Sequence, residues 1–480
     1  MRKLYYGDNL DVMRESLPDG FADLIYLDPP FNSKKAYNAI FAQNNPGMAP
    51  AQIQAFDDTW VWDLVTEQEY QRLTTGGSPR KVADTLVAFR KVLGETDLMA
   101  YLVMMTARIL ELHRVLQPTG SMWLHCDPTA SHYLKVICDI IFGPKNFRNE
   151  VVWRYRTGGA SKRHLAKKHD IIFFYSKSNK YKFNLQKEKA YTKSKYRKAG
   201  TVNYGGGKAE FFEDEDGVYN LVNLADVWDI PYINSQSKER LGYPTQKPLD
   251  LLRRIIEIGS DPGDVVFDPF CGCGTSVAAA EEMGRSWVGI DIAFIAIDLI
   301  LKRLEHAYGE DLLKLVETSG IPRDIEAARS LHASSHFEFE RWAVSLVRGE
   351  PKNQPGGDKG VDGIISFFTN ADQELGTAIV EVKGGGTSPA DVRSLSGAVA
   401  ARGAEMGVFI CIDEPTKKMK EAAHEAGTYY WPFGDKTFSR IVIITVPELL
   451  AGSRPDMPTP LDPYIKAARQ PVLGVEQQTF

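Results

Sequence analysis

No apolar run in this sequence approaches the roughly 20 residues that a bilayer-spanning helix needs. The longest, such as "DVVF" and "IIFFY", are far shorter, so no membrane partner is expected. The opening "MRKLYYGDNL" has two basic residues but neither an apolar core nor a small-residue cleavage site, so no signal peptide is expected. Cysteine is scarce. Cys126, Cys138, Cys271, Cys273 and Cys411 are too few and too irregularly spaced for a disulfide framework, which points to the cytoplasm. An excess of one charge is also missing: the net charge is −5, so any nucleic-acid surface must be local. Internal repeats are absent.

What is present is ordinary globular composition, 43% hydrophobic and 25% charged over 480 residues. That length suits about two to four domains. Through about residue 310, short strand-like runs ("KLYY", "DLIYL", "GSMWLHC", "DVVFD", "SWVGID") alternate with helical patterns. The helical patterns include "DLMAYLVMMTARILELHRVL", "ASHYLKVICDIIF" and "LDLLRRIIEIGS". This alternation predicts a doubly wound α/β sheet. A helix-like linker over 311–335 leads to a second α/β unit over 336–450. The tail, 451–480, is rich in Pro and polar residues and reads as a loose end.

One strand ends abruptly in "YLDPPFNS". Proline lacks the backbone donor and restricts the residue before it, so the strand stops at Asp28. A carboxylate, a stiff backbone (Pro29, Pro30) and the ring of Phe31 are left at its end. A second strand ends in "VVFDPFCGCGTS", where Gly272 and Gly274 let the backbone approach a ligand. Asp291 closes the following strand, where a carboxylate can grip ribose hydroxyls. The third glycine of a dinucleotide fingerprint is replaced by Val277, and alone such a loop is equally a tight turn. Cys271 and Cys273 read as small packing residues rather than metal ligands.

Together these motifs resemble the DNA amino-methyltransferases, which move a methyl group from S-adenosylmethionine to an exocyclic base amine. The order "DPPF", basic region, "YPTQKPLDLLRRII", "FDPFCGCGT" is similar to the β class, and the resemblance covers residues 1 to 310. It implies that Phe31 stacks on a flipped base while Asp28 and the Pro29 carbonyl accept from its amino group. It implies further that Asp8, Thr245, Lys247, Pro248, Asp268, Phe270, Gly272, Gly274, Thr275 and Asp291 surround the cofactor. Asp8 would reach its adenine, and Thr245, Lys247 and Pro248 its methionine end. The "DPPF" spelling favours adenine as the target. "LHCDPTASHYLKVICDIIFG" and "FRNEVVW" resemble type III modification subunits.

Residues 154 to 200 hold fifteen Lys or Arg against two acids, Asp170 and Glu188, with Tyr181, Phe183, Tyr191 and Tyr196 interleaved. They fall where that family keeps its target-recognition region, here 154–240. Lys162, Arg163, Lys167 and Lys168 are expected to meet the phosphates of double-stranded DNA.

In the second unit, "GGDKGVDG" is followed by "AIVEVKGG". Glu381 and Lys383 share one face of a strand, and Asp362 can meet them from the neighbouring one. Two carboxylates, Asp362 and Glu381, can hold magnesium, with Lys383 orienting a water. Glu338 or Glu340 could add an outer contact. This stretch resembles the Mrr-like branch of the PD-(D/E)xK nucleases, with Glu381 where that branch often has glutamine. The expectation is a site-specific adenine methyltransferase fused to a magnesium-dependent endonuclease in restriction–modification. Double-strand cutting would favour a pair of chains. The alternative is a methyltransferase whose nuclease-like domain is inactive and only binds DNA or a partner. Methylation of RNA or protein fits an isolated "DPPF" but not the basic region.

Overall fold

The computed structural model describes residues 1–30, 36–41, 51–57, 61–127, 129–155, 163, 165–192, 198–204, 207–233, 237, 239–241, 245–352, 361–370, 372 and 374–461. Its main sheet has nine strands, in the order Val227–Asp229, Phe147–Arg154, His169–Ser176, Leu116–Cys126, Ala22–Leu27, Val265–Asp268, Ser286–Asp291, Arg2–Tyr6, Glu317–Ser319. Only His169–Ser176 runs antiparallel to its neighbours in this sheet.

Helices cover both faces, as the alternation predicts. On one face, Asp97–Val115 and Ser131–Phe142 build a core with Met13, Leu27 and Phe267. On the other, Leu249–Gly259, Thr275–Glu282 and Phe294–Tyr308 pack over Leu24, Trp123 and Trp287. Gly259 permits this close approach, because a Cβ there would meet Leu24 Cδ1 at 2.7 Å. The "IIFFY" run is a strand buried on both faces. Ile171, Phe173 and Tyr175 enter one core, while Ile172 and Phe174 enter the other. Each such buried side chain contributes about 1.5–3 kcal/mol.

The basic stretch is therefore not a uniform insert. Part of it is this central strand, and another part is a four-stranded antiparallel sheet of Lys187–Tyr191, Gly217–Asn223, Gly207–Asp214 and Gly200–Tyr204. Nor is 311–335 only a linker, since Glu317–Ser319 extends the main sheet beside Arg2–Tyr6.

The second unit has a five-stranded sheet ordered Glu350–Pro351, Gly363–Phe368, Leu375–Lys383, Met406–Cys411, Ile441–Thr445. His336–Leu346 packs on one face, and Pro389–Arg402 and Lys417–Glu425 on the other. The start of the tail is not loose: Met457 is buried in this core, and the Leu461 N–H donates to the Ser366 carbonyl at 2.8 Å. Among the described residues, no helix is long and apolar enough to cross a membrane.

Candidate active site

Parallel strands present their carboxyl ends on one edge, where α/β folds bind ligands. Asp28, Asp268 and Asp291 therefore lie together although they are far apart in sequence, and Asp8 follows Arg2–Tyr6 to the same edge. The reversed strand His169–Ser176 brings its beginning there too, and with it Asp170.

On the cofactor side, Gly272 and Gly274 have φ of +48° and +71°, and a Cβ on Gly274 would meet Ile300 Cγ1 at 2.5 Å. Glycine is required there for both reasons. Asp291 accepts from the Gly272 N–H at 2.8 Å and the Ala293 N–H at 2.9 Å. Burial nevertheless pushes its carboxyl up to about 6. Asp268 accepts from the Ser276 hydroxyl and the Phe270 N–H, and burial pushes it up to about 7. Beside Asp291, the Ile292 side chain is 60% exposed, an apolar surface fit to cover a flat ring. Thr275 is buried with its hydroxyl against Cys273, and both loop cysteines are buried, as packing residues should be.

Asp8 caps the helix Asn9–Ser16, accepting from the Leu10 N–H at 2.7 Å. Arg108 grips both of its oxygens at 3.0 and 2.7 Å and reaches Asn9 Oδ1 at 2.5 Å. Asn9 in turn donates to the Pro269 carbonyl of "FDPF". Sequence reasoning missed Arg108 because nothing in a helical pattern marks an arginine that turns inward.

On the target side, Pro29 is buried, and Asp28 pairs with Lys247 through Oδ2. Asp28 Oδ1 is buried and has no hydrogen-bond partner. Burial pulls Lys247 down, but Asp28 outweighs it and holds the ammonium above its ordinary value. Lys247, expected on the cofactor side, is thus a partner of the target-side Asp28. Gln246 beside it is buried and fixes the loop, donating to the Glu239 carbonyl and accepting from the Leu241 N–H.

Fully buried His125 stands 3.9 Å from Asp28 Oδ1. Its Nδ1 lies 3.2 Å from the Tyr26 hydroxyl and its Nε2 3.3 Å from Asp170 Oδ2, both within hydrogen-bond reach. Tyr155 also donates to Asp170. Burial pulls Asp170 up, but His125 and Lys247 outweigh it and hold it below the usual carboxylate range. Sequence reasoning missed His125, although a histidine inside the strand-like "GSMWLHC" was an available signal, and its partner Asp170 depends on the fold.

Phe31 and Lys162 lie outside the described residues. Arg163 and Lys167 are exposed and Lys168 half-buried, just before Asp170 at the site's edge. Other cations of the basic stretch have structural partners. Arg154 pairs with Asp229, Lys182 with Asp23 and Asp264, and Lys189 with Asp214.

In the second unit, Asp362 does meet the strand of Glu381, accepting from the Val382 N–H at 2.8 Å. Each carboxylate of the expected magnesium pair nevertheless has a cation of the protein's own as partner, Lys352 for Asp362 and Lys383 for Glu381. Lys352 Nζ bridges Asp362 at 2.7 Å and Glu340 at 2.9 Å, so the protein's own cation stands between these carboxylates. Burial pulls Lys352 down, but both acids outweigh it. Lys383 pairs with Glu381 Oε1 at 3.1 Å, leaving only Oε2 buried without a partner. Among the described residues, no three His, Cys, Asp or Glu side chains converge as metal ligands. These residues, so arranged, do not fit a divalent cation. Glu338 points elsewhere, to Tyr6.

Residues 338–451 match the family model described as "NACHT-associated inactive Restriction Endonuclease 1". Among curated proteins, the chain is similar to the DNA adenine methyltransferase YhdJ of Escherichia coli (strain K12), 26% identical over 320 residues, covering 65% of this chain and 87% of that one. It is also similar to the type II methyltransferase M.EcaI of Enterobacter cloacae, 26% identical over 294 residues, covering 50% and 65%. Among solved structures, it resembles a DNA modification methylase of Thermus thermophilus, 16% identical, covering 66% and 100%, with a TM-score of 0.36. Residues 22–302, more than half of the chain, match the family model described as "DNA methylase", and the chain belongs to that family.

Proposed function

We propose that this protein methylates the exocyclic amine of adenine in double-stranded DNA, using S-adenosylmethionine, and that its second unit does not cut DNA. The observation that carries the first half is Asp28. It offers a buried, unpartnered carboxylate oxygen at the sheet edge that also holds the Asp291 and glycine-loop pocket. The name of the similar YhdJ supports adenine. We assign 1–310 to the methyltransferase, with 154–240 for target recognition, and 336–450 to the second unit.

When bound, S-adenosylmethionine supplies the methyl group. The residues present fit it: Asp291 has lone pairs left for ribose hydroxyls, Ile292 an exposed apolar face, and the glycine loop an open backbone. Arg108 fixes Asp8 for the adenine end. Asp28 Oδ1 and the Pro29 carbonyl accept the two amino hydrogens of the target base. That pulls the nitrogen lone pair out of ring conjugation and aims it at the methyl group. Lys247 holds the other oxygen of Asp28 so that Oδ1 faces the base, and the His125–Asp170 pair backs it from below. Phe31 would stack on the flipped base, and the basic stretch would hold phosphates. Asp28 then receives the proton that the methylated nitrogen sheds.

In the second unit, Lys352 between Asp362 and Glu340 argues against metal-dependent cleavage. Lys383 and Glu381 then form a structural ion pair. The case for a pair of chains rested on double-strand cutting and falls with it. A tritiated-methyl assay on plasmid DNA, with nucleoside analysis of the product, tests the reaction. Label in N4-methylcytosine or in protein would overturn it.

A further inference from the structure

The second unit meets the cofactor edge of the first through an apolar contact at Phe294 and through the carboxylate of Glu338. Glu338 lies in the first turn of the helix His336–Leu346, which Ser335 caps. Its Oε2 accepts from the Tyr6 hydroxyl at 3.1 Å and from the Phe294 N–H at 3.3 Å. Its Oε1 takes Arg341 at 3.2 Å. Tyr6 is the last residue of its strand, two before Asp8, and pairs in register with Asp291. Phe294 opens the helix that begins three residues after Asp291. The rings of Tyr6 and Phe294 meet edge to face at 5.8 Å, and Phe294 is buried in the second unit's core with Phe339 and Trp342.

We propose that Glu338 is a positioning residue for the cofactor pocket, and that the second unit thereby senses whether the cofactor is bound. This rests on the S-adenosylmethionine pocket assigned above. Asp8 and Asp291 must stand at a fixed separation to hold the adenine and ribose ends of one ligand. They lie on separate turns beyond the sheet edge. Glu338 ties the strand end before Asp8 to the turn after Asp291, with one oxygen shared between them. Holding these turns in the bound geometry removes ordering entropy that the cofactor would otherwise have to offset. Coupling of this kind is reciprocal: if Glu338 favours cofactor binding, the cofactor must favour the seated helix. Glu338 also adds its charge to the burial that raises Asp291.

The test uses the full chain and S-adenosylmethionine as the probe. Glu338→Ala, Glu338→Gln, Tyr6→Phe and Asp291→Ala are each checked for folding by thermal melting. Cofactor affinity is measured by calorimetry, and methyl transfer by separate KM and kcat. Glu338→Ala should raise the cofactor Kd and KM about 5- to 20-fold, the lower range for coupled sites. Its kcat at saturating cofactor and its DNA affinity should not change. Glu338→Gln, which keeps an acceptor oxygen, should recover most of that loss. Tyr6→Phe removes one of the three donors to Glu338 and should show a smaller rise in the same direction, which carries the test if Glu338→Ala fails to fold. Hydrogen exchange in residues 336–346 should slow when S-adenosylmethionine binds the native protein. Unchanged cofactor affinity in the folded Glu338 and Tyr6 variants, or unchanged exchange in 336–346, would overturn the proposal while leaving the pocket intact. Unchanged affinity in Asp291→Ala would overturn the pocket assignment, and the proposal with it.

Discussion

Lys247 and Asp28, 219 residues apart in sequence, form an ion pair between the "YPTQKP" loop and the "DPPF" turn. The pair leaves one oxygen of Asp28 to Lys247 and the other buried without a partner. A carboxylate held on one side and unsatisfied on the other is poised to accept a new hydrogen bond.

Asp28→Ala should therefore abolish methyl transfer while calorimetry shows S-adenosylmethionine binding nearly unchanged. Lys247→Met should lower kcat by about 10²-fold or more, as for loss of a positioned acid–base group. It should also destabilise the protein by about 3–5 kcal/mol, because Asp28 is left buried and unpaired. Normal turnover in either variant would remove these residues from the reaction.

Asp291 sets a pH dependence. Its carboxyl is raised from 3.8 to about 6, so the native state holds that proton more tightly than the unfolded chain. Its contribution to stability is complete below about pH 4 and is lost as pH rises through about 6. Asp291→Asn should stabilise the cofactor-free protein above pH 7 by up to about 3 kcal/mol while weakening cofactor binding. Native cofactor affinity should fall between pH 7 and 5, as Asp291 takes its proton. Denaturant titrations of both proteins at pH 5 and pH 8 check the sign, and equal stability at pH 8 would refute it.

Lys352 bridges Asp362 and Glu340. Removing it in Lys352→Ala leaves Asp362 and Glu340 facing each other without a cation, at a cost of about 3–5 kcal/mol. Magnesium should then raise the melting temperature of this variant but not of the native protein. Incubated with unmethylated plasmid and magnesium, the native protein should leave the DNA intact. Cleavage that Asp362→Ala or Lys383→Ala removes would restore the nuclease reading.

Lys162, Arg163, Lys167 and Lys168 test the DNA surface. Each phosphate contact on duplex DNA contributes a slope of about −0.9 in log affinity against log salt. Replacing all four by Ala should flatten that slope by up to about 3.6 and leave cofactor affinity as it was. An unchanged slope would move the recognition surface elsewhere, for instance to the sheet of residues 187–223.

The sequence by itself determined the doubly wound sheet and most of its elements, because buried strands and amphipathic helices differ in period. It also marked Asp28, Asp291 and the glycine loop, since Pro and Gly impose local geometry whatever surrounds them. Side-chain partners depend instead on which strands become neighbours. His169–Ser176 read as part of a basic insert, yet it reverses into the central sheet and carries Asp170 to His125. Lys182 and Lys189 read as part of a DNA-binding block, yet acids distant in sequence already neutralise them. Asp362, Glu381 and Lys383 read as a nuclease centre, and their spacing did bring them together. The cation that pairs with Asp362, Lys352, follows the separate short strand Glu350–Pro351. Only tertiary packing places that ammonium between Asp362 and Glu340, because an ion pair depends on separation in space and not on separation along the chain.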